Sequence, residues 1–349
     1  MIKVLIVDDS PFIRKILTDI FNEDKEIFVI GEAKNGKEAL EKIPLLKPDI
    51  VTLDIEMPIM DGITTLEQII KNYNLPVIMI SNLTKEGATL TLDALDKGAI
   101  DFIPKPKNIF SISGKMAKVE MINKIKIAAK SEPKIGYVHK TSLKPLSKYP
   151  IVDSTGKKNF EYIVTIGTST GGPRALQDVL PLLDENINGT IVVVQHMPPK
   201  FTKSLADRLN NLSKIKVREG ENGDRLERGT CYIAPGDFHM EVVKKSSDYF
   251  IQLNKTPAVK GLRPSVDVLM ESVAKIKGLK KLGVIMTGMG SDGTNGIVQI
   301  KESKGITIAQ DKDSSIIFGM PKSAIDTKSI DMIVPLNKIA HEIMSIVGV

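Results

Sequence analysis

The chain of 349 residues has one cysteine, Cys231, four histidines and no tryptophan. A single cysteine excludes an internal disulfide and any Cys-rich zinc or iron–sulfur site, and four histidines leave little for a His-based metal cage. No run of about 18 apolar residues is present, so no membrane-spanning helix is expected. The N-terminus, MIKVLIVDDSPF, meets Asp8 and Asp9 too soon to form the apolar stretch of a secretory signal, which predicts a cytoplasmic protein with no direct membrane insertion. What is present is the composition of an ordinary soluble protein, 42% apolar and 26% charged, at a length that suits two domains.

The formal net charge of +6 would suggest nucleic acid if it were spread over a folded surface. Divided along the chain it is −6 over residues 1–106, +9 over 107–158 and +3 over 159–349. The excess belongs to a middle stretch without interleaved aromatic residues for base stacking, and no nucleic acid partner is predicted. Within that stretch Met116, Val119, Ile122 and Ile125 fall at helical spacing, followed by a Lys-, Pro- and Ser-rich run. The expected organisation is a first domain over 1–128, a flexible basic linker over 129–158 and a second domain over 159–349.

The first domain alternates short apolar runs (KVLIV, FVIGEA, DIVTLDI, PVIMIS, AIDFI) with helix-compatible segments, the pattern of a five-stranded parallel sheet wound with helices, flavodoxin-like in form. Asp8 and Asp9 end the first run, Asp54 the third and Ser81 the fourth, and Lys105 follows the fifth. In such sheets function gathers beyond the carboxyl ends of strands. Three carboxylates brought together repel unless a cation lies among them, and an all-oxygen cluster suits Mg²⁺. Taken singly, each of these residues has an ordinary explanation as a turn or cap. Together, VDDS, LDIEMPIMDG, MIS and the FIPKP pattern around Lys105 resemble the receiver domain of two-component response regulators. The resemblance implies that Asp54 accepts a phosphoryl group and that Asp8, Asp9 and Asp54 with the backbone carbonyl of Glu56 hold Mg²⁺. It also implies that Ser81 and Lys105 contact the phosphoryl oxygens, with Phe102 as a switching aromatic.

In the second domain EYIVTIG runs into Thr168, Ser169, Thr170, Gly171, Gly172 and Pro173. Gly167, Ser169 and Gly171 meet the G-x-S-x-G spacing of a sharp strand-to-helix turn that presents a serine hydroxyl. Serine needs a base, and a second run, TIVVVQHMPP, ends in His196; a third, KLGVIMTGMGSDGTNG, leads to Asp292. Three strands thus each deliver one member of a Ser, His, Asp set to one edge of a mostly parallel, doubly wound α/β domain of hydrolase type. The order Ser169, His196, Asp292 differs from that of α/β-hydrolases, so the elbow does not argue for that fold, but triads are defined by geometry rather than order. A nucleotide cradle in the two Gly-rich loops is disfavoured because neither matches a Walker or dinucleotide motif. YIAPGDFHM near His239 and GLRPSVDVLM near Arg263 fit structural and substrate-contacting roles equally.

IGTSTGGP, QHMPP, YIAPGDFHM, RPSVDVLM and TGMGSDG, in that order, resemble the catalytic domain of chemotaxis protein-glutamate methylesterases. The resemblance implies Ser169 as nucleophile, His196 as general base and acid, Asp292 as the orienting acid and the Met289 backbone N–H as an oxyanion donor, with no cofactor in this domain. It implies removal of glutamate methyl esters from chemoreceptor cytoplasmic domains as methanol and, in some members, deamidation of glutamine. A chemotaxis histidine kinase would be the phosphodonor. The competing expectation from another class is a non-catalytic, receptor-binding response-regulator adaptor.

Overall fold

The computed structural model describes residues 1–105, 115–131 and 160–349, and the chain divides into two compact units, 1–138 and 139–349. The expected linker lies, from residue 132 onward, outside the described residues.

The first unit runs β1 (Ile2–Val7), α1 (Pro11–Asn22), β2 (Ile27–Ala33), α2 (Gly36–Leu46), β3 (Ile50–Asp54), α3 (Gly62–Tyr73), β4 (Val77–Ser81), α4 (Lys85–Asp96), β5 (Asp101–Pro104) and α5 (Lys115–Ala128). Its sheet has the order β2-β1-β3-β4-β5 with every pair parallel. β3 and β4 are buried at every position because helices cover both faces, which is why they read as continuous apolar runs rather than alternating ones. Ser10, Asn35, Asp61 and Thr84 each cap a helix by accepting a backbone N–H three residues on.

α5 forms where the apolar spacing predicts a helix, but the face differs. Met121, Ile125 and Ala128 are buried, whereas Val119 is 47% exposed. Ion pairs contribute to this choice: Lys126 meets Asp24 and Glu26, each at 2.8 Å, and Lys124 meets Asp101 at 3.2 Å, fixing the rotation of the helix.

The second unit runs β6 (Tyr162–Thr168), α6 (Gly172–Val179), β7 (Gly189–Gln195), α7 (Phe201–Leu212), β8 (Lys216–Glu219), β9 (Thr230–Ile233), β10 (His239–Lys245), β11 (Asp248–Asn254), α8 (Val266–Ala274), β12 (Lys280–Ile285), α9 (Thr294–Glu302), β13 (Ile306–Gln310), α10 (Met320–Asp326), β14 (Met332–Val334) and α11 (Leu336–Val347). Seven strands form one parallel sheet in the order β14-β13-β12-β6-β7-β9-β8, and β10 and β11 make a separate antiparallel hairpin. The hairpin's Met240, Val242 and Ile251 join Leu269, Met270 and Val273 of α8 in the core against Val192 and Val194 of β7. From β6 the strand order departs in two directions, towards β7 and towards β12, which opens a crevice beyond the carboxyl end of β6.

Candidate active site

Each member of the Ser, His, Asp set leaves the sheet at that crevice. Thr168 ends β6 and stands opposite Gln195, the last residue of β7, so Ser169 and His196 follow side by side. The His196 N–H donates to the Thr168 carbonyl at 3.2 Å, and the Ser169 N–H donates to the Thr287 carbonyl beyond β12 at 3.1 Å. Gly171, at φ +79°, makes the left-handed turn into α6 that an L side chain would strain, and Pro173 occupies the first helical turn, where its missing N–H costs nothing.

His196 Nε2 lies 2.8 Å from Asp292 Oδ2, with the imidazole 8% exposed and the carboxylate fully buried. The start of α8 closes around that carboxylate. Ser265 Oγ donates to Oδ1 at 2.8 Å, as do the N–H groups of Asp267 and Gly293 at 3.1 Å, and the Val266 N–H donates to Oδ2 at 2.7 Å. Burial alone would raise the Asp292 pKa; His196 and these donors, with the positive end of α8, overcome it and hold the carboxyl well below its usual range. Among the described residues no hydrogen bond joins Ser169 Oγ to His196. The Met289 N–H, in the half-exposed loop after β12, has no backbone acceptor among them either.

Sequence reasoning left the segment around Arg263 open and did not find the role of Ser265. The signal was present: a serine directly before an apolar helical run is an N-cap, and a helix start is an anion site. Arg263 itself binds Asp237 at 2.5 Å and the carbonyls of Lys255 and Thr256, and His239 is buried with Nε2 3.2 Å from the Pro257 carbonyl. Both make structural contacts.

In the first unit Asp8, Asp9 and Asp54 bring carboxylate oxygens within 4.8 Å of one another. Lys105 Nζ lies 2.6 Å from Asp54 Oδ2 and 3.3 Å from Asp8 Oδ2, and that second oxygen has no hydrogen-bond partner. Burial first, then the Asp8 charge, push the Asp54 pKa up to about 6 against the pull of Lys105 and of the Glu56 N–H. Burial likewise raises Asp8. One ammonium for three carboxylates leaves the cluster short of positive charge, and an oxygen donor set in which buried Asp8 Oδ2 is met by a 3.3 Å ion pair with Lys105 but no hydrogen bond fits a hard divalent cation. Ser81 Oγ is engaged elsewhere, 2.6 Å from Thr91 Oγ1 and 3.2 Å from the Gly87 carbonyl. Phe102 is buried with the Lys124 ammonium 5.2 Å from its ring centroid.

Comparison with known proteins matches residues 164–343 to the CheB methylesterase family and residues 4–115 to the response regulator receiver domain. The protein-glutamate methylesterase/protein-glutamine glutaminase of Pyrococcus horikoshii is 49% identical over 348 residues, covering 100% of this chain and 94% of that one. The protein of the same name from Bacillus subtilis is 44% identical, with 99% of each chain covered. The crystal structure of the Thermotoga maritima CheB methylesterase catalytic domain superposes with a TM-score of 0.53 at 44% identity, covering 54% of this chain and all of that one. The chain therefore belongs to the CheB methylesterase family, with a receiver domain preceding the methylesterase domain.

Proposed function

We propose that this chain is a phosphorylation-regulated serine hydrolase of chemotaxis that demethylates glutamate methyl esters on chemoreceptor cytoplasmic domains and deamidates receptor glutamines. Ser169 Oγ attacks the ester carbonyl while His196 takes its proton. With Nε2 committed to Asp292, Nδ1 is the ring nitrogen left for that transfer. The oxyanion of the tetrahedral intermediate is held by the Met289 N–H. His196 returns the proton to the departing methoxide, methanol leaves, and an acyl-serine remains. A water molecule, deprotonated by His196, then releases free glutamate and restores Ser169. A glutamine side chain follows the same path with ammonia as leaving group.

In the receiver unit Asp54 is the phosphoryl acceptor, and Asp8 and Asp9, with the Glu56 carbonyl, would hold Mg²⁺ beside it. When bound, Mg²⁺ neutralises charge developing on the transferring phosphoryl group. Lys105 remains to pair with a phosphoryl oxygen, and Ser81 leaves Thr91 to reach another. A histidine kinase of the cytoplasmic chemotaxis system is the donor. Phosphorylation shifts the receiver between two arrangements, with Phe102 as part of the change.

The observation that carries the reading is the His196–Asp292 pair at 2.8 Å beside Ser169. Methanol release from a methyl-esterified chemoreceptor cytoplasmic fragment tests it. Release by the wild type, faster with a small-molecule phosphodonor and Mg²⁺ and absent in Ser169→Ala, is expected. Receptor binding without methanol release from any form would instead favour a non-catalytic adaptor.

A further inference from the structure

Gln195 ends β7 next to His196 and is 2% exposed, too buried to reach a substrate. Its amide is used completely. Nε2 donates to the Ser169 carbonyl at 2.9 Å and to the His196 carbonyl at 3.2 Å, while Oε1 lies 2.6 Å from Thr168 Oγ1. Both amide hydrogens are therefore spent on carbonyls, and the remaining oxygen can only accept. The direction of the chain is fixed: the Thr168 hydroxyl donates to Oε1, which orients the amide, which ties together the carbonyls of Ser169 and His196. The fully buried Thr168 leaves that hydroxyl no competing water.

The neighbouring backbone has been shaped to fit this amide. A Cβ on Gly172 would lie 1.9 Å from Gln195 Oε1 and 2.7 Å from Thr168 Cβ, so the last glycine of GTSTGG leaves the space the amide occupies. On its other side Ser169 is already anchored through its N–H to the Thr287 carbonyl. The Gln195 bond completes the clamp, holding the serine turn from β7 as well as from β12.

We infer that Gln195, oriented by the Thr168 hydroxyl, is a positioning residue that sets the separation of Ser169 and His196 for the hydrolase reaction. The inference rests on the serine hydrolase reading above. Because neither side chain meets substrate, loss of the clamp lowers kcat and leaves KM in place, and misplacement by a fraction of an ångström to 1 Å lowers turnover by about tenfold to a hundredfold.

The test is methanol release by the phosphodonor-activated full chain from a helical peptide carrying a glutamate γ-methyl ester, with kcat and KM determined separately and thermal unfolding of every variant alongside. Gln195→Leu and Thr168→Val are expected to lose kcat as stated with KM within about twofold, and Thr168→Ser, which keeps the hydroxyl, restores it. Should Gln195→Leu fail to fold, the near-isosteric Thr168→Val decides. Wild-type kcat in Thr168→Val, a loss confined to KM, or an equal loss in Thr168→Ser and Thr168→Val overturns the inference while leaving the hydrolase reading intact. If wild type releases no more methanol than Ser169→Ala, the hydrolase reading falls and this inference with it.

Discussion

Replacing Asp54 by asparagine should stabilise the receiver unit at alkaline pH in the absence of divalent cations. The carboxylate is buried beside Asp8, and its pKa of about 6 lies roughly 2 units above the ordinary value of 3.8. At about 1.4 kcal/mol per unit, holding it ionised in the folded state costs about 3 kcal/mol. The pH dependence has a definite sign. Below about pH 4 both folded and unfolded forms are protonated and nothing is lost. Between about 4 and 6 the unfolded chain releases the proton that the folded one retains, so stability falls as pH rises, and above about 6 the whole deficit is present. Asparagine mimics the protonated acid. Calorimetry of the full chain in EDTA should therefore show the receiver transition of Asp54→Asn above that of wild type by roughly 10 °C at pH 8, with the gap closing by pH 4. Groups not coupled to Asp54 titrate alike in both proteins and cancel in the difference. Saturating Mg²⁺ should narrow the gap at pH 8, since at about 100 times its dissociation constant it stabilises the wild type by about 2.7 kcal/mol. A variant that melts no higher at pH 8, or whose advantage persists unchanged at pH 4, would refute the argument, because the effect would then not come from the charge.

Ser265→Ala removes both a donor to Asp292 and the cap of α8, and should destabilise the methylesterase unit by about 1 to 3 kcal/mol in denaturant unfolding while lowering kcat more than KM. Asp292 has a depressed pKa in the folded state, so its contribution to stability is complete above the unfolded pKa and is lost as pH falls through the folded one; the stability difference between wild type and Asp292→Asn should shrink between about pH 4 and pH 2 in unfolding titrations. Lys105→Met deletes the ammonium that contests the carboxylate cluster, and Mg²⁺ affinity, followed by calorimetric titration, should rise roughly tenfold, or about 1.4 kcal/mol, even though the phosphorylated form loses its lysine partner.

The receiver sheet and three strands of the methylesterase sheet, β6, β7 and β12, were legible because each is a run rich in β-branched and aliphatic residues that leads into polar residues at the functional edge, whereas β8, β9, β13 and β14 were not singled out. Asp8, Asp54, Ser81, Ser169, His196 and Asp292 all lie at or just beyond such ends. The face of α5 was not legible, because the row 116–119–122–125 and the row 121–125–128 are both apolar enough and ion pairs to Asp24, Glu26 and Asp101 take part in the choice between them. The β10–β11 hairpin, whose strands mix apolar residues with polar ones and end beside lysines, gave no sign of its place against α8. Nor was Gln195 legible as part of the site. Its role depends on the register that sets Thr168 opposite it, a property of strand pairing rather than of either strand's sequence.

Asp54 and Asp292 begin from the same physical position, a carboxylate at the carboxyl edge of a parallel sheet, almost wholly withdrawn from water. What separates them is the number of donors each receives. Asp292 takes a hydroxyl, three backbone N–H groups and an imidazole with no other carboxylate bonded to it, so its anion is the favoured form and is suited to holding His196 through a cycle in which the imidazole gains and loses a proton. Asp54 has one ammonium and one backbone N–H against the Asp8 charge, so its anion is under-supported. An anion in that state is stabilised by whatever brings positive charge, and the receiver reading places a cation beside it and makes its oxygen the one that bonds phosphorus to form an acyl phosphate, whose added charge the cation and Lys105 offset. In the proposed reading, the difference in donor count makes Asp292 a fixed partner of His196 and leaves Asp54 free to change state, which is the division of labour that a regulated hydrolase requires.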